Sequence, residues 1–267
     1  MTEPPFRRVA ILGNGLIGAS VQLAARRAWP DIETVALDAG DDVSKVAGAD
    51  LVVLSAPVRA NLALLDAVQP HIAAATVVTD TGSTKRVICA AAAARPAMDF
   101  IGGHPMAGGA KGGAANARAD LFDGRPWILT PSPGNPADAA RRLDAFVGGL
   151  GAVPHVMTPE LHDRFVGAIS HLPQLTASAL MHVVGKLAGD AGLEIAGPGL
   201  ADTTRLAGSP PDIWKDITAT NDDVLRDALD ELIDALGHLR DTLRTGEGVD
   251  AVFTSACRWR RTLDRSR

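Results

Sequence analysis

The sequence predicts an α/β protein, with a parallel-sheet domain over residues 1–156 and an all-helical domain over residues 157–267. Three observations carry this. Short apolar runs alternate with Ala-rich stretches through the first half, a glycine-rich turn follows the first of those runs, and the β-rich runs stop near residue 156. Strands buried on both faces read as short unbroken apolar segments, and parallel strands need crossover connections between them.

In chain order the strands are expected at Val9–Leu12, Thr34–Leu37, Leu51–Ser55, Thr76–Asp80, Phe100–Gly102 and Trp127–Thr130, with a last one near Ala152–Val156. One crossover is lean: only Ala39 to Asp50 separate the second strand from the third, so the usual helix must shrink to a turn or so. The adenine end of any cofactor should then be more open than usual. Thr158-Pro159-Glu160 has the pattern of a helix start, with Thr as cap, Pro at the first helical position and an acid in the first turn. Leu225, Leu229, Leu232, Leu236, Leu239 and Leu243 recur at helical spacing, which predicts an apolar seam on one long helix. That seam reads equally as a core face or as a subunit interface.

The bulk numbers exclude several classes. Hydrophobic residues make up 46% and charged residues 21%, as in an ordinary globular protein. The formal net charge of −5 gives no sign of a surface for nucleic acid. No apolar signal core precedes the first strand, and no apolar run is long enough for a membrane span, so a cytoplasmic protein with no membrane partner is expected. Cys89 and Cys257 lie in unrelated segments and read as buried thiols, and the seven histidines form no metal-ligand spacing, so no metal is expected. The chain has no tyrosine. Short-chain dehydrogenases, which need a Tyr-Lys pair as proton donor, are thereby excluded.

Gly13-Asn14-Gly15-Leu16-Ile17-Gly18 follows the first strand directly and opens a helix. The first glycine permits a tight turn, the second lets backbone approach a pyrophosphate and the third lets helix pack on strand, while N–H groups at the helix start face the anion. Asp38 ends the second strand twenty residues past Gly18, where a carboxylate should hold the adenosine ribose diol. An acid there repels a 2′-phosphate, and no Arg lies between Ala39 and Lys45 to neutralise one. NAD is therefore expected rather than NADP.

Three further stretches bear on chemistry. Thr79-Asp80-Thr81-Gly82-Ser83-Thr84-Lys85 ends a strand and starts a helix, which puts Ser83 at the carboxyl edge of the sheet, where ligands bind. Ser83 could also merely cap that helix, and Lys85 reads as a solvated first-turn lysine. His104, between glycines and a proline, sits where packing gains little from an imidazole, which favours catalysis or substrate contact. His171, in Ser170-His171-Leu172-Pro173-Gln174, is expected on the first long helix of the second domain, where core packing would suit it too.

Taken in order, GNGLIGAS, DTGSTK, GGHPMAGG, LFDGRPWILTP, SHLPQLTASAL and DTTRLA closely resemble the prephenate/arogenate dehydrogenase family, from about Val9 to about Asn221. The resemblance implies an N-terminal Rossmann domain, an all-helical C-terminal domain that forms a homodimer, and an active site between them for a small cyclohexadienyl substrate. It implies that His104 is the base that takes the proton of the substrate's ring hydroxyl, that Ser83 hydrogen-bonds that hydroxyl, and that His171 and Arg205 bind the substrate, Arg205 through a carboxylate. Those residue types suit such chemistry, which needs a base titrating near neutrality and a guanidinium fork for a planar anion. The implied reaction is NAD-dependent oxidative decarboxylation of prephenate or arogenate in tyrosine biosynthesis.

The sequence departs from the family pattern at Ala110, where a Glu is frequent and would help gate the site, and in the shortened crossover; no regulatory ACT module is expected after the helices. A 6-phosphogluconate or β-hydroxyacid-type dehydrogenase would place a Lys on the first long helix of the second domain, but Lys186 lies well downstream of His171. A catalytically inactive NAD-binding module would have lost the polar site residues, which this chain retains.

Overall fold

A computed structural model describes residues 3–109 and 111–265. The expectation attached to Ala110 lies outside the described residues. The elements run β1 (Arg8–Leu12), α1 (Leu16–Ala28), β2 (Glu33–Leu37), β3 (Leu51–Leu54), α2 (Val58–Val68), β4 (Val77–Asp80), α3 (Arg86–Ala93), β5 (Asp99–Pro105), β6 (Pro126–Thr130), α4 (Ala137–Gly149) and β7 (Val153–Val156). Helices follow: α5 (Pro159–Val166), α6 (Leu172–Leu193), α7 (Pro198–Thr204), α8 (Pro211–Thr220), α9 (Asp222–Asp241) and α10 (Glu247–Arg265).

The seven strands form one sheet in the order β2-β1-β3-β4-β5-β6-β7. Successive residues of each central strand face opposite sides, and both sides are covered. Val9 and Ile11 pack with Val21, Ala24 and Phe146 under α1 and α4, whereas Ala10 and Leu12 pack with Leu65, Val68 and Ile88 under α2 and α3. This double burial is why the strands read as unbroken apolar runs.

The sheet is not parallel throughout. β6 runs antiparallel to β5, and β7 is parallel to β6. The chain between β5 and β6 contains only a 3-10 turn at Ala114–Asn116 among its described residues, so it has no crossover helix to carry it back to the starting edge. The fifth strand also continues past Gly102, because His104 and Pro105 stay in register with Ile128 and Trp127. The lean crossover is as expected: a single 3-10 turn, Val43–Val46, capped by the Asp42 carboxylate accepting from the Ser44 N–H at 2.9 Å.

Helix α5 starts at the predicted signal, with Thr158 Oγ1 accepting from the Leu161 N–H at 3.2 Å. Between α5 and α6 lies a π turn, Gly167–His171. The leucine seam does not form one continuous buried stripe. Leu225 is buried, Leu229, Leu232 and Leu239 are half-buried, Leu236 is 55% exposed, and Leu243 falls beyond the end of α9. Cys257 on α10 is exposed rather than buried. No described helix is long and apolar enough to cross a membrane.

Candidate active site

The glycine-rich turn at the end of β1 is built as its spacing requires. Gly13 has φ +105°, and a Cβ on Gly18 would lie 2.1 Å from the Gly13 carbonyl oxygen, so neither position accepts a side chain. Gly15, the N-cap of α1, meets nothing within 4 Å of where its Cβ would stand, and no side chain caps the helix. The first N–H groups of α1, at Leu16, Ile17 and Gly18, thus face an open, side-chain-free approach suited to an anionic group. Asp38 follows β2 on the same edge and is exposed. These features fit a dinucleotide with its pyrophosphate on the helix start.

The carboxyl ends of β4 and β5 carry the polar residues. His104 is 9% exposed, and its Nδ1 lies 2.8 Å from Nε2 of His162 on α5. Nδ1 of His162 lies 2.7 Å from Oδ1 of Asp163. Asp163 also accepts from the backbone N–H groups of Lys85 at 2.7 Å and Arg86 at 2.9 Å. Burial alone would raise the Asp163 carboxyl, but the hydrogen bonds from His162 and from these backbone groups hold it below the usual carboxylate range. Burial first, then the neighbouring His162, Lys85 and His171, pushes His104 well below the ordinary imidazole value. His104 is therefore neutral at physiological pH, as a proton acceptor must be.

Lys85 is fully buried, not solvated. Its ammonium pairs with Asp80 Oδ2, and Asp80 Oδ1 accepts from the Gly103 N–H at 3.0 Å, tying the end of β4 to the segment of β5 that carries His104. Helix α3 starts only at Arg86, so Lys85 turns inward beneath the loop instead of lying on the helix surface. Ser83 does not cap α3, which has no side-chain cap. It is half-buried and makes no hydrogen bond among the described residues.

His171 closes the π turn and is 1% exposed. Neither ring nitrogen has a partner among the described residues. Its ring meets Trp214 of α8 edge to face at 5.9 Å, and burial lowers its pKa to about 4. A buried polar side chain without partners is costly, and such groups concentrate where a ligand supplies the missing bond. Arg205 opens the 3-10 turn Arg205–Gly208 and is exposed. That turn is held to the helix of His171 by Gln174, whose Nε2 donates to the Leu206 carbonyl at 2.8 Å. His104 and His171 are both buried and act on each other electrostatically, Arg205 opens a turn that Gln174 holds to α6, and Ser83 lies on the loop between Asp80 and Lys85; among the described residues no direct contact joins these four.

Comparison with known proteins agrees with this architecture. Residues 16–156 match the model of the prephenate dehydrogenase nucleotide-binding domain, and residues 158–253 match that of the prephenate dehydrogenase dimerization domain. The chain belongs to the prephenate dehydrogenase family. It is an NAD-dependent oxidoreductase of the prephenate/arogenate type. It is 32% identical over 255 residues to prephenate dehydrogenase of Bacillus subtilis (87% of this chain, 69% of that protein). It is also 32% identical over 265 residues to cyclohexadienyl dehydrogenase of Zymomonas mobilis (91% and 90%). Its fold matches a crystal structure of prephenate dehydrogenase from A. aeolicus, solved with hydroxyphenyl propionate and NAD+, at a TM-score of 0.88, with 25% identity and coverage of 98% and 99%.

In this family member the sequence reading missed His162, Asp163, Asp80 and Trp214, and misjudged Lys85. A signal for some of these existed. Asp80 is an acid closing an otherwise apolar strand, and His162-Asp163 sit in the second turn of a helix whose start was recognised. Neither pattern says which distant partner it meets, because His104 lies 58 residues from His162 and Lys85 lies 78 from Asp163.

Proposed function

We propose that the chain converts prephenate, arogenate or both to the 4-hydroxyphenyl product with release of CO2, as a cytoplasmic homodimer divided near residue 156. In this reading Gly13, Gly15, Leu16, Ile17 and Gly18 hold the NAD pyrophosphate and Asp38 holds the adenosine ribose. NAD, when bound, accepts hydride from the ring carbon that bears the hydroxyl. His104 takes the hydroxyl proton, Ser83 orients that hydroxyl, and the ring carboxylate leaves as CO2 while the ring becomes aromatic. His171, uncharged with its pKa near 4, binds substrate as a hydrogen-bond donor, and Arg205 supplies the positive charge for a carboxylate. The aromatic product drives the reaction, so what the protein contributes is orientation in a water-poor cleft.

The observation that carries this reading is the buried, neutral imidazole of His104 at the carboxyl edge of the sheet, hydrogen-bonded at 2.8 Å to His162 of the helical half. A β-hydroxyacid-type mechanism fits poorly: Lys186 is exposed and stands fifteen residues past His171 along α6, about 22 Å of helix. The homodimer reading is supported by Leu187, Ile233, Leu236 and Phe253, each more than half exposed in the single chain.

Absorbance of NADH formed from prephenate and, separately, arogenate tests the activity; no NADH from either removes it. The His104→Asn variant should lose on the order of 10²–10⁴-fold in kcat with KM little changed. Unchanged turnover would remove the base assignment.

A further inference from the structure

We propose that His162 and Asp163 are positioning residues that fix the tautomer of His104, so that its Nε2 carries the lone pair that receives the substrate proton. The inference rests on the reading of His104 as the base and extends it to two residues with no role so far.

Donors and acceptors along the chain of side chains can be matched one by one. An ionised carboxylate only accepts, so at 2.7 Å the proton between Asp163 Oδ1 and His162 Nδ1 belongs to the histidine. A neutral His162 then has a bare Nε2. That nitrogen lies 2.8 Å from His104 Nδ1, so His104 must donate, and its own proton resides on Nδ1. The Nε2 of His104 is left as an acceptor, and it makes no hydrogen bond among the described residues. When His104 gains the hydroxyl proton at Nε2, the new positive charge is shared along the hydrogen bond to His162 and offset by the Asp163 carboxylate. This follows the logic by which a carboxylate holds an imidazole in serine hydrolases, with a second imidazole interposed.

The anchor is rigid. Asp163 is fully buried and accepts the N–H groups of Lys85 and Arg86, and its own carbonyl accepts from Asn221 Nδ2 at 3.0 Å. The groups acting electrostatically on His104 are His162 from α5, Lys85 from the loop before α3 and His171 from the π turn, and the nearby Asp80 carboxylate, which accepts from the Gly103 N–H, is already paired with the Lys85 ammonium. Asp163 is thus the anion that the relay can use, and it reaches His104 only through His162.

Two substitutions at His162 separate a relay from mere packing. His162→Gln keeps an acceptor for the His104 Nδ1–H, whereas His162→Phe keeps the ring shape and removes the acceptor. The relay predicts that the Phe variant loses on the order of 10²-fold or more in kcat with KM little changed, and that the Gln variant recovers most of it. A structural role predicts the opposite ranking, and Phe equal to or better than Gln overturns the proposal. Nitrogen NMR of 15N-histidine-labelled enzyme reads the tautomers without turnover: the proposal requires protonated Nδ1 and bare Nε2 on both His104 and His162, and a bare His104 Nδ1 overturns it. If the wild-type enzyme forms no NADH from either substrate, the proposed activity fails while the NMR result still decides the relay.

Discussion

The two halves of the molecule close their apolar surfaces differently. The sheet domain buries both faces of its central strands, and aromatic anchors such as Trp29, stacked on Phe146 at 5.6 Å, seal α1 against α4. In the helical half the fully buried apolar side chains are few: Val166, Ala177, Ile217 and Leu225. Leu187, Ile195, Ile233, Leu236, Phe253 and Trp259 face outward instead. A single chain therefore completes one core and only begins the other. The helical half leaves apolar surface open, in keeping with its match to a dimerization domain.

Three measurements press on this contrast. The largest effect should come from inside the complete half. Lys85→Met leaves Asp80 buried without its cation and should cost about 3–5 kcal/mol in denaturant unfolding, while Lys85→Met combined with Asp80→Asn should recover most of that. A small cost for the single variant would mean that water reaches the pair. Acid tests the boundary between the halves. His171 titrates at about 4 in the folded chain against an ordinary value near 6.5, so unfolding takes up a proton between those limits. Stability is therefore complete above about pH 6.5 and should fall by about 3 kcal/mol as the pH drops to about 4, with His104 and His162 adding in the same direction. Urea unfolding across that range checks it, and a flat profile would mean that these rings are solvated. The smallest effect should come from the open half. Ile233→Asp should weaken dimerisation about 10- to 100-fold in sedimentation equilibrium and leave the isothermal signal of NAD binding unchanged. A variant dimer of undiminished affinity would move the interface elsewhere.

The same contrast explains what was legible in the sequence. Local patterns dictate the sheet half: unbroken apolar runs marked seven strands, Gly13 and Gly18 marked a turn where a Cβ would collide, and Thr158 announced α5. The reversal of β6 was not legible, because a strand's direction depends on what connects it and the run Trp127–Thr130 looks alike either way. Lys85 was misread for a related reason. Its position near a helix start suggests solvent, and only the placement of Asp80 under the same loop makes its burial tolerable. His104, Ser83, His171 and Arg205 were picked out by motif, but the His162-Asp163 pair that backs His104 joins β5 to a helix 58 residues away, a distance at which spacing carries no information.

The π turn at Gly167–His171 carries a consequence of its own. A widened turn holds one residue more than a regular one, so removing any single residue there would let α5 run straight into α6 with ordinary bonding. The bulge takes up its extra residue locally, so the helix beyond would keep its facing, and the residues of the turn itself, His171 among them, would lose the positions they now hold. The regular helix would be the better-bonded backbone, so the extra residue is what gives His171 its present buried place against Trp214.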